Sequence, residues 1–360
     1  MKKSLHPILN SCLGTLVAFL VIAVAVYTLV SIIIAQANKA PKIEPDTVLR
    51  VSLNKEIPEK TNNVELTAFD WKNEDVLGLH DLLYVLEVAK SDEKIKGIFL
   101  DADAVDLGIA GVMRLRQGLI NFRDQGKFII SHSNFYSQGA YFLATAADSI
   151  FLNPRGMIDL RGFAAEIPFY TKMLEKLGIK MEVFYAGKFK SATEPYRREN
   201  ISDENRLQIR AYIDEIYDRF LSEISDSRNI PTSELQKLID DWDYSSDHLS
   251  AEHGLIDGVA YQDEVIDKMR EILGFGPKDK IKTTTPEKYF LAHPPKKNRK
   301  IKDKIAVLYA EGGFIGGGES PGAIAEEHYE RKIHRISSEK NLKAIILRVN
   351  SEGRNVINYE

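Results

Sequence analysis

The sequence predicts an α/β protein built around a parallel sheet, and three observations carry that expectation. Short apolar runs alternate with helix-length amphipathic segments from residue 48 onward. The composition is that of a folded chain, 44% hydrophobic and 28% charged over 360 residues, enough for a large core. One pair of strand patterns also occurs twice, early and late, which marks an internal repeat.

Taken in order, the first feature is Leu13 to Ala35, which contains no charged residue. At ~1.5 Å per residue a helix of this length spans a ~30 Å hydrocarbon core. It exceeds the h-region of a cleavable leader, so residues 1–39 are expected to be a tail and an uncleaved membrane anchor. Lysines on both flanks (Lys2 and Lys3, then Lys39 and Lys42) leave its orientation open.

Val48–Leu53 reads as a strand and Val76–Ala89 as an apolar helix. Lys96–Asp101 is a short buried strand, Val112–Arg123 an amphipathic helix and Lys127–Ser131 another strand. Asn134–Ala147 opens a helix dense in small residues, where Gly139 and the alanines imply close helix packing. Ser137 in that stretch has no Gly two residues before it, so it is no nucleophile elbow. Asp148–Pro154 is a strand and turn.

Val183–Tyr196 is the stretch on which the function turns. It reads as a strand, a turn at Gly187, two lysines (Lys188 and Lys190) and a helix start. Ser191 and Glu194 have capping-box spacing, and Pro195 suits a first helical turn. A lysine between strand and helix sits at the rim of a sheet, where α/β enzymes hold their ligands. Desolvation there would favour the neutral amine, which can act as a base. Further on, Ile209, Ile213, Ile216, Phe220 and Ile224 form a helical stripe behind a Ser202 cap. Ala251–Gly258 ends a helix in glycine.

Residues 274–303 hold four prolines, and six of the nine residues from Lys296 to Lys304 are basic. This reads as a solvated linker, with a basic patch suited to anionic lipid. After it, Ile305–Ala310 repeats the pattern of Val48–Leu53, and Leu342–Leu347 that of Ile95–Leu100. The expected organisation is an anchor over 1–39, a complete α/β repeat over 40–275, a linker over 276–303 and the start of a second repeat over 304–360.

Gly187–Tyr196 resembles the G-x-[YF]-K-S-A-x-E-P-[YF] stretch of the signal peptide peptidase A (protease IV) family, in its long two-repeat form. The resemblance implies a ClpP/crotonase-like superhelix of βαβ units and a Ser–Lys dyad. In it, Lys190 is the general base. Leu347–Ser351 resembles the family's L-R-[VI]-[ND]-S, which continues P-G-G-S and ends on the nucleophile. Here Glu352, Arg354 and Asn355 replace the proline, the second glycine and the serine, and only Gly353 remains. An Asn amide cannot serve as that nucleophile. The second repeat is therefore expected to be truncated and the chain inactive alone. The Glu311–Gly322 loop lacks G-K-[ST] and G-x-G-x-x-G, which argues against phosphate. In the family it lends backbone N–H groups to the oxyanion hole, with Gly316, Gly317 and Gly318 as candidates.

The resemblance further implies cleaved signal peptides as substrates and the lipid bilayer and a homo-oligomer as partners. The bulk of the chain would lie on the periplasmic side of the cytoplasmic membrane. No cofactor is expected, and a net charge of −4 gives no sign of nucleic acid. Cys12 is the only cysteine, so no internal disulfide can form, and the eight histidines lack metal-ligand spacing. Two other readings stay open: a membrane-bound peptide-binding or scaffold protein of the same fold, and an acyl-CoA enzyme of the crotonase superfamily.

Overall fold

Strand and helix alternate as the hydrophobic pattern requires, and a computed structural model describes the result for residues 19–20, 22–24, 26–28, 41–63, 76–296, 300–318 and 322–351. Strand β1 (Thr47–Ser52) is followed by helix α1 (Leu79–Ala89), β2 (Ile95–Asp101), α2 (Ile109–Arg123) and β3 (Phe128–Tyr136). Then come the short α3 (Gln138–Ala144) and β4 (Ser149–Ile158). A long excursion holds α4 (Thr171–Lys176), α5 (Glu194–Arg197), α6 (Asp203–Arg228), α7 (Thr232–Asp241) and α8 (Asp247–Glu252). The chain returns through β5 (Gly258–Val259), α9 (Gln262–Leu273), β6 (Lys282–Thr284) and α10 (Pro286–Ala292).

These six strands form one sheet in the order β5-β4-β3-β2-β1-β6, and the adjacent pairs are parallel. Helices cover its two faces unequally. Leu79, Leu82, Val85 and Leu86 of α1 and Leu115, Leu119 and Phe122 of α2 join Leu49, Ile98, Ile129 and Ile150 in the larger core. The opposite face carries Val48, Phe99, Ile130 and Phe151 against Val265 and Met269 of α9. Successive strand residues alternate between the two cores, as the pleat dictates.

Beyond residue 300, β7 (Lys304–Glu311), β8 (Gly313–Ile315), β9 (Ala323–Ala325), α11 (Glu326–Ser337) and β10 (Leu342–Asn350) follow. Strand β7 pairs with β10, and β8 with β9, each in parallel. The β7–β10 register repeats that of β1–β2 in detail. Thr47 faces Ile95 and Val48 faces Gly97, skipping Lys96. Lys304 faces Leu342 and Ile305 faces Ala344, skipping Lys343. Apolar side chains of this later sheet remain open, with Ile305, Ile345, Ile346, Leu347 and Val349 all exposed.

Several expectations need correction. Residues 183–186 form no strand; Phe184 is 93% exposed, and with no neighbouring strand an apolar run builds no ladder. Asn134–Tyr136 continue β3, so the small-residue helix starts only at Gln138. A Cβ on Gly139 would meet nothing within 4 Å, so close packing does not explain that glycine. The alanines around it are buried as expected. Residues 282–292 are not open linker. Thr284 and Pro286 are buried, and Tyr289 is fully buried with its hydroxyl donating to Asp92 at 2.9 Å. Pro286 begins a helix there, a position that needs no N–H. Leu13–Ala35 lies largely outside the described residues, among which no helix is long and apolar enough to cross a membrane.

Candidate active site

The lysine stretch is an exposed arm held at its base. Gly187 takes φ +91°, a backbone state that side chains disfavour, and turns the chain so that Lys190 N–H donates to its carbonyl at 3.3 Å. Lys190 and Lys188 are both exposed. In the same stretch Phe184, Tyr185 and Phe189 present apolar surface, as do Met173, Leu177, Ile179 and Met181 in the segment before it. Braces hold the arm: Tyr170 N–H donates to Pro195 O at 2.7 Å, the Tyr170 and Tyr196 rings lie 5.7 Å apart, and Arg197 sits 3.8 Å over the Tyr185 ring.

Glu194 fastens this arm to the core. It is 1% exposed and accepts from the Ser202 N–H at 3.2 Å and the Asn205 amide at 3.0 Å. Burial opposes its charge, but the hydrogen bonds from Ser202 and Asn205 outweigh it and hold the carboxyl below the usual glutamate range. It thus sits at the start of α6, where the helix dipole also favours an anion. Ser202 caps that helix as expected, its hydroxyl accepting from Asn205 N–H at 3.1 Å. The Ser191–Glu194 capping box does not form: Thr193 stands at the N-cap of α5 with no capping bond, its hydroxyl accepting from Arg197 Nε at 3.1 Å instead, and Glu194 turns inward. The expectation missed this role because Glu194 and its partners are separated by a turn, and spacing alone reveals only partners within one helix.

The stripe on α6 divides. Phe220 and Ile224 are buried, with Phe220 stacked 5.0 Å from Phe142, while Ile209, Ile213 and Ile216 are half-buried and Leu207 and Tyr212 exposed. Arg116 pins the buried end. Only 5% exposed, it donates to Phe142 O, Thr145 Oγ1, Glu223 and Ser227 Oγ.

Gly316, Gly317 and Gly318 lie on the loop between β8 and β9; the first and last are exposed and Gly317 is half-buried. Gly317 and Gly318 have φ of +71° and +70°. This loop is narrow at its base, where a Cβ on Gly312 would come within 1.8 Å of Gly322 O. Lys190 and the glycine loop are placed by different supports: the arm by α6, the loop by residues 59–63. Ser351 follows β10 directly and is half-buried, and positions 352–360 lie outside the described residues. Ser137 is the N-cap of α3, its hydroxyl accepting from Ala140 N–H at 3.4 Å, which accounts for that side chain without chemistry. Among the described residues, no group of His, Cys, Asp or Glu has the grouping to hold a metal.

Residues 121–275, from the end of α2 through the arm to α9, match the family model described as peptidase family S49. The chain carries a peptidase family S49 domain. Curated relatives agree. Protease 4 of Haemophilus influenzae is 29% identical over 76% of this chain and 46% of its own length. Protease 4 of Salmonella typhi is 31% identical over 77% and 46%. The chloroplastic serine protease SPPA of Arabidopsis thaliana is 31% identical over 74% and 40%. The chain thus spans less than half the length of these relatives. A monofunctional enoyl CoA isomerase from M. smegmatis aligns with 62% of this chain and 78% of its own at 15% identity, but a TM-score of 0.35 carries no argument.

Proposed function

We propose that this S49 chain supplies the base-bearing part of a membrane-anchored serine endopeptidase that degrades cleaved signal peptides. The parallel α/β sheet is read as a ClpP/crotonase-like superhelix of βαβ units. The observation that carries the reading is the Gly187–Tyr196 stretch. It lies inside the family match, and its glutamate fixes the arm while its lysine stays open to a partner.

The chemistry follows from residue type. A neutral Lys190 amine takes the proton of a serine hydroxyl as the oxygen attacks the peptide carbonyl. The tetrahedral oxygen then carries negative charge, which backbone N–H groups from Gly316–Gly318 stabilise; one such bond contributes ~3 kcal/mol. The ammonium next returns its proton to the leaving amine. A base lysine must shed its charge, which water opposes. Because Lys190 is exposed here, its desolvation has to come from what covers the arm: the apolar substrate, a second-repeat surface or another copy of the chain. The exposed Phe184, Tyr185 and Phe189 of the same stretch fit all three, and a signal peptide is apolar by nature.

The serine is the missing element, since position 355 holds Asn where the motif has the nucleophile. The purified chain is therefore expected to leave an apolar fluorogenic peptide uncut. Turnover that disappears in Lys190→Ala would contradict the claim that the nucleophile is lacking. Turnover that survives Lys190→Ala would overturn Lys190 as the base.

A further inference from the structure

The end of β7, the closing point of the glycine loop and β10 all bond to residues 58–63, a segment that no motif singles out. This segment is fastened to the first sheet's leading helix. Leu79 N–H donates to Pro58 O at 2.8 Å, Asn62 N–H to Val76 O at 2.9 Å and Gly78 N–H to Thr61 Oγ1 at 3.1 Å. Thr61 also donates to Asp81. Gly78 permits the contact, because a Cβ there would lie 2.5 Å from the backbone of Lys60 and Thr61.

From this platform Glu59 and Asn63 reach the later segment, where Glu311 and Arg348 meet them. Glu311, at the end of β7, accepts from Glu59 N–H and from the Asn63 amide, both at 2.8 Å. Asn63 uses its other end to accept from Gly322 N–H at 3.1 Å, at the closing point of the glycine loop. Glu59 in turn binds Arg348 of β10 through two parallel bonds of 2.7 and 2.8 Å. Arg348 lies three residues before Ser351, on the strand that leads to the nucleophile position of the motif. A fork-to-fork pair fixes orientation as well as distance. Asn63 fixes direction too, since its amide can donate only from nitrogen and accept only at oxygen.

We infer that Glu59, Asn63, Glu311 and Arg348 are positioning residues: a polar clasp that sets the glycine loop and the end of β10 against the first repeat. The inference rests on the proposed peptidase reading for its catalytic meaning. Its geometry stands apart from that reading. The clasp ties the base-bearing repeat to both pieces that would hold the oxyanion and the nucleophile. It also accounts for the bond that holds the closing point of the loop to Asn63.

Hydrogen exchange read by mass spectrometry on the full chain tests it. Asn63→Asp puts a carboxylate against Glu311, and exchange across residues 312–322 is expected to rise about tenfold at neutral pH, with β2 and β3 unchanged. Glu59→Arg should loosen the same peptides, and adding Arg348→Glu should restore protection, a rescue that mere misfolding would not give. Unchanged protection of 312–322 in both single variants, or no rescue in the pair, would overturn the clasp. If Asn63→Asp does not fold, the Glu59 and Arg348 pair decides the matter alone.

Peptide turnover is read separately, on a chain carrying Glu352→Pro, Arg354→Gly and Asn355→Ser. There the clasp variants should lower kcat with KM little changed. No turnover in that chain, with normal loop protection, would count against the peptidase reading and leave the clasp standing.

Discussion

Glu194 shows how one buried carboxylate fixes a functional segment. Its folded pKa lies below the ordinary range, so its stabilising contribution is complete above about pH 4.3 and is lost as the pH falls through the lower folded value. Exchange of amides 198–206, corrected for intrinsic rate, should therefore rise below that range, and Glu194→Gln should already be loose at neutral pH. A pH-independent profile in both proteins would contradict this role. Arg116 is the matching case in the core. Arg116→Ala loses its bonds to Phe142 O, Thr145 Oγ1 and Glu223, although Thr145 still serves that carbonyl and Arg219 still pairs with Glu223, and should cost about 1–3 kcal/mol in a denaturant melt. At this scale the sequence was legible where partners lie within one helix, as with Ser202 and Asn205. It was silent where they lie across a turn or between elements, as with Glu194, Arg116 and Glu59.

Elements were legible in proportion to their burial. Strands β1 to β4 are apolar because helices cover them, so their pattern reports their structure. Val183–Ala186 has a similar composition but sits on an exposed arm, and composition cannot separate the two. Strand β6 and helix α10 hide behind prolines and threonines that mimic a linker, yet Pro286 starts a helix and Tyr289 fills the core. The glycine loop permits a sharper test. Gly312 has φ +97° and no room for a Cβ, so Gly312→Ala should strain the loop by about 1–3 kcal/mol and expose 312–322 to exchange. Gly139→Ala, which meets open space inside a helix, should instead be neutral or slightly stabilising in a thermal melt.

At the scale of the molecule, the β1–β2 and β7–β10 pairs share one register. The skipped lysines at 96 and 343 give both strand pairs one register, and this was visible in the sequence as two matching apolar phrases. What the sequence did not reveal is the joint between the repeats, because it is made of scattered polar residues with no period. On the proposed reading the base lies in the first repeat and the nucleophile serine belongs at position 355, five residues past the end of β10. Restoring that serine tests it most directly. A fluorophosphonate probe, which forms a bond to an activated serine oxygen and expels fluoride, should leave the natural chain unlabelled. It should label the chain carrying Glu352→Pro, Arg354→Gly and Asn355→Ser at position 355, and labelling should vanish when Lys190→Ala is added. Labelling that persists without Lys190, or that appears on the natural chain at another serine, would contradict the account.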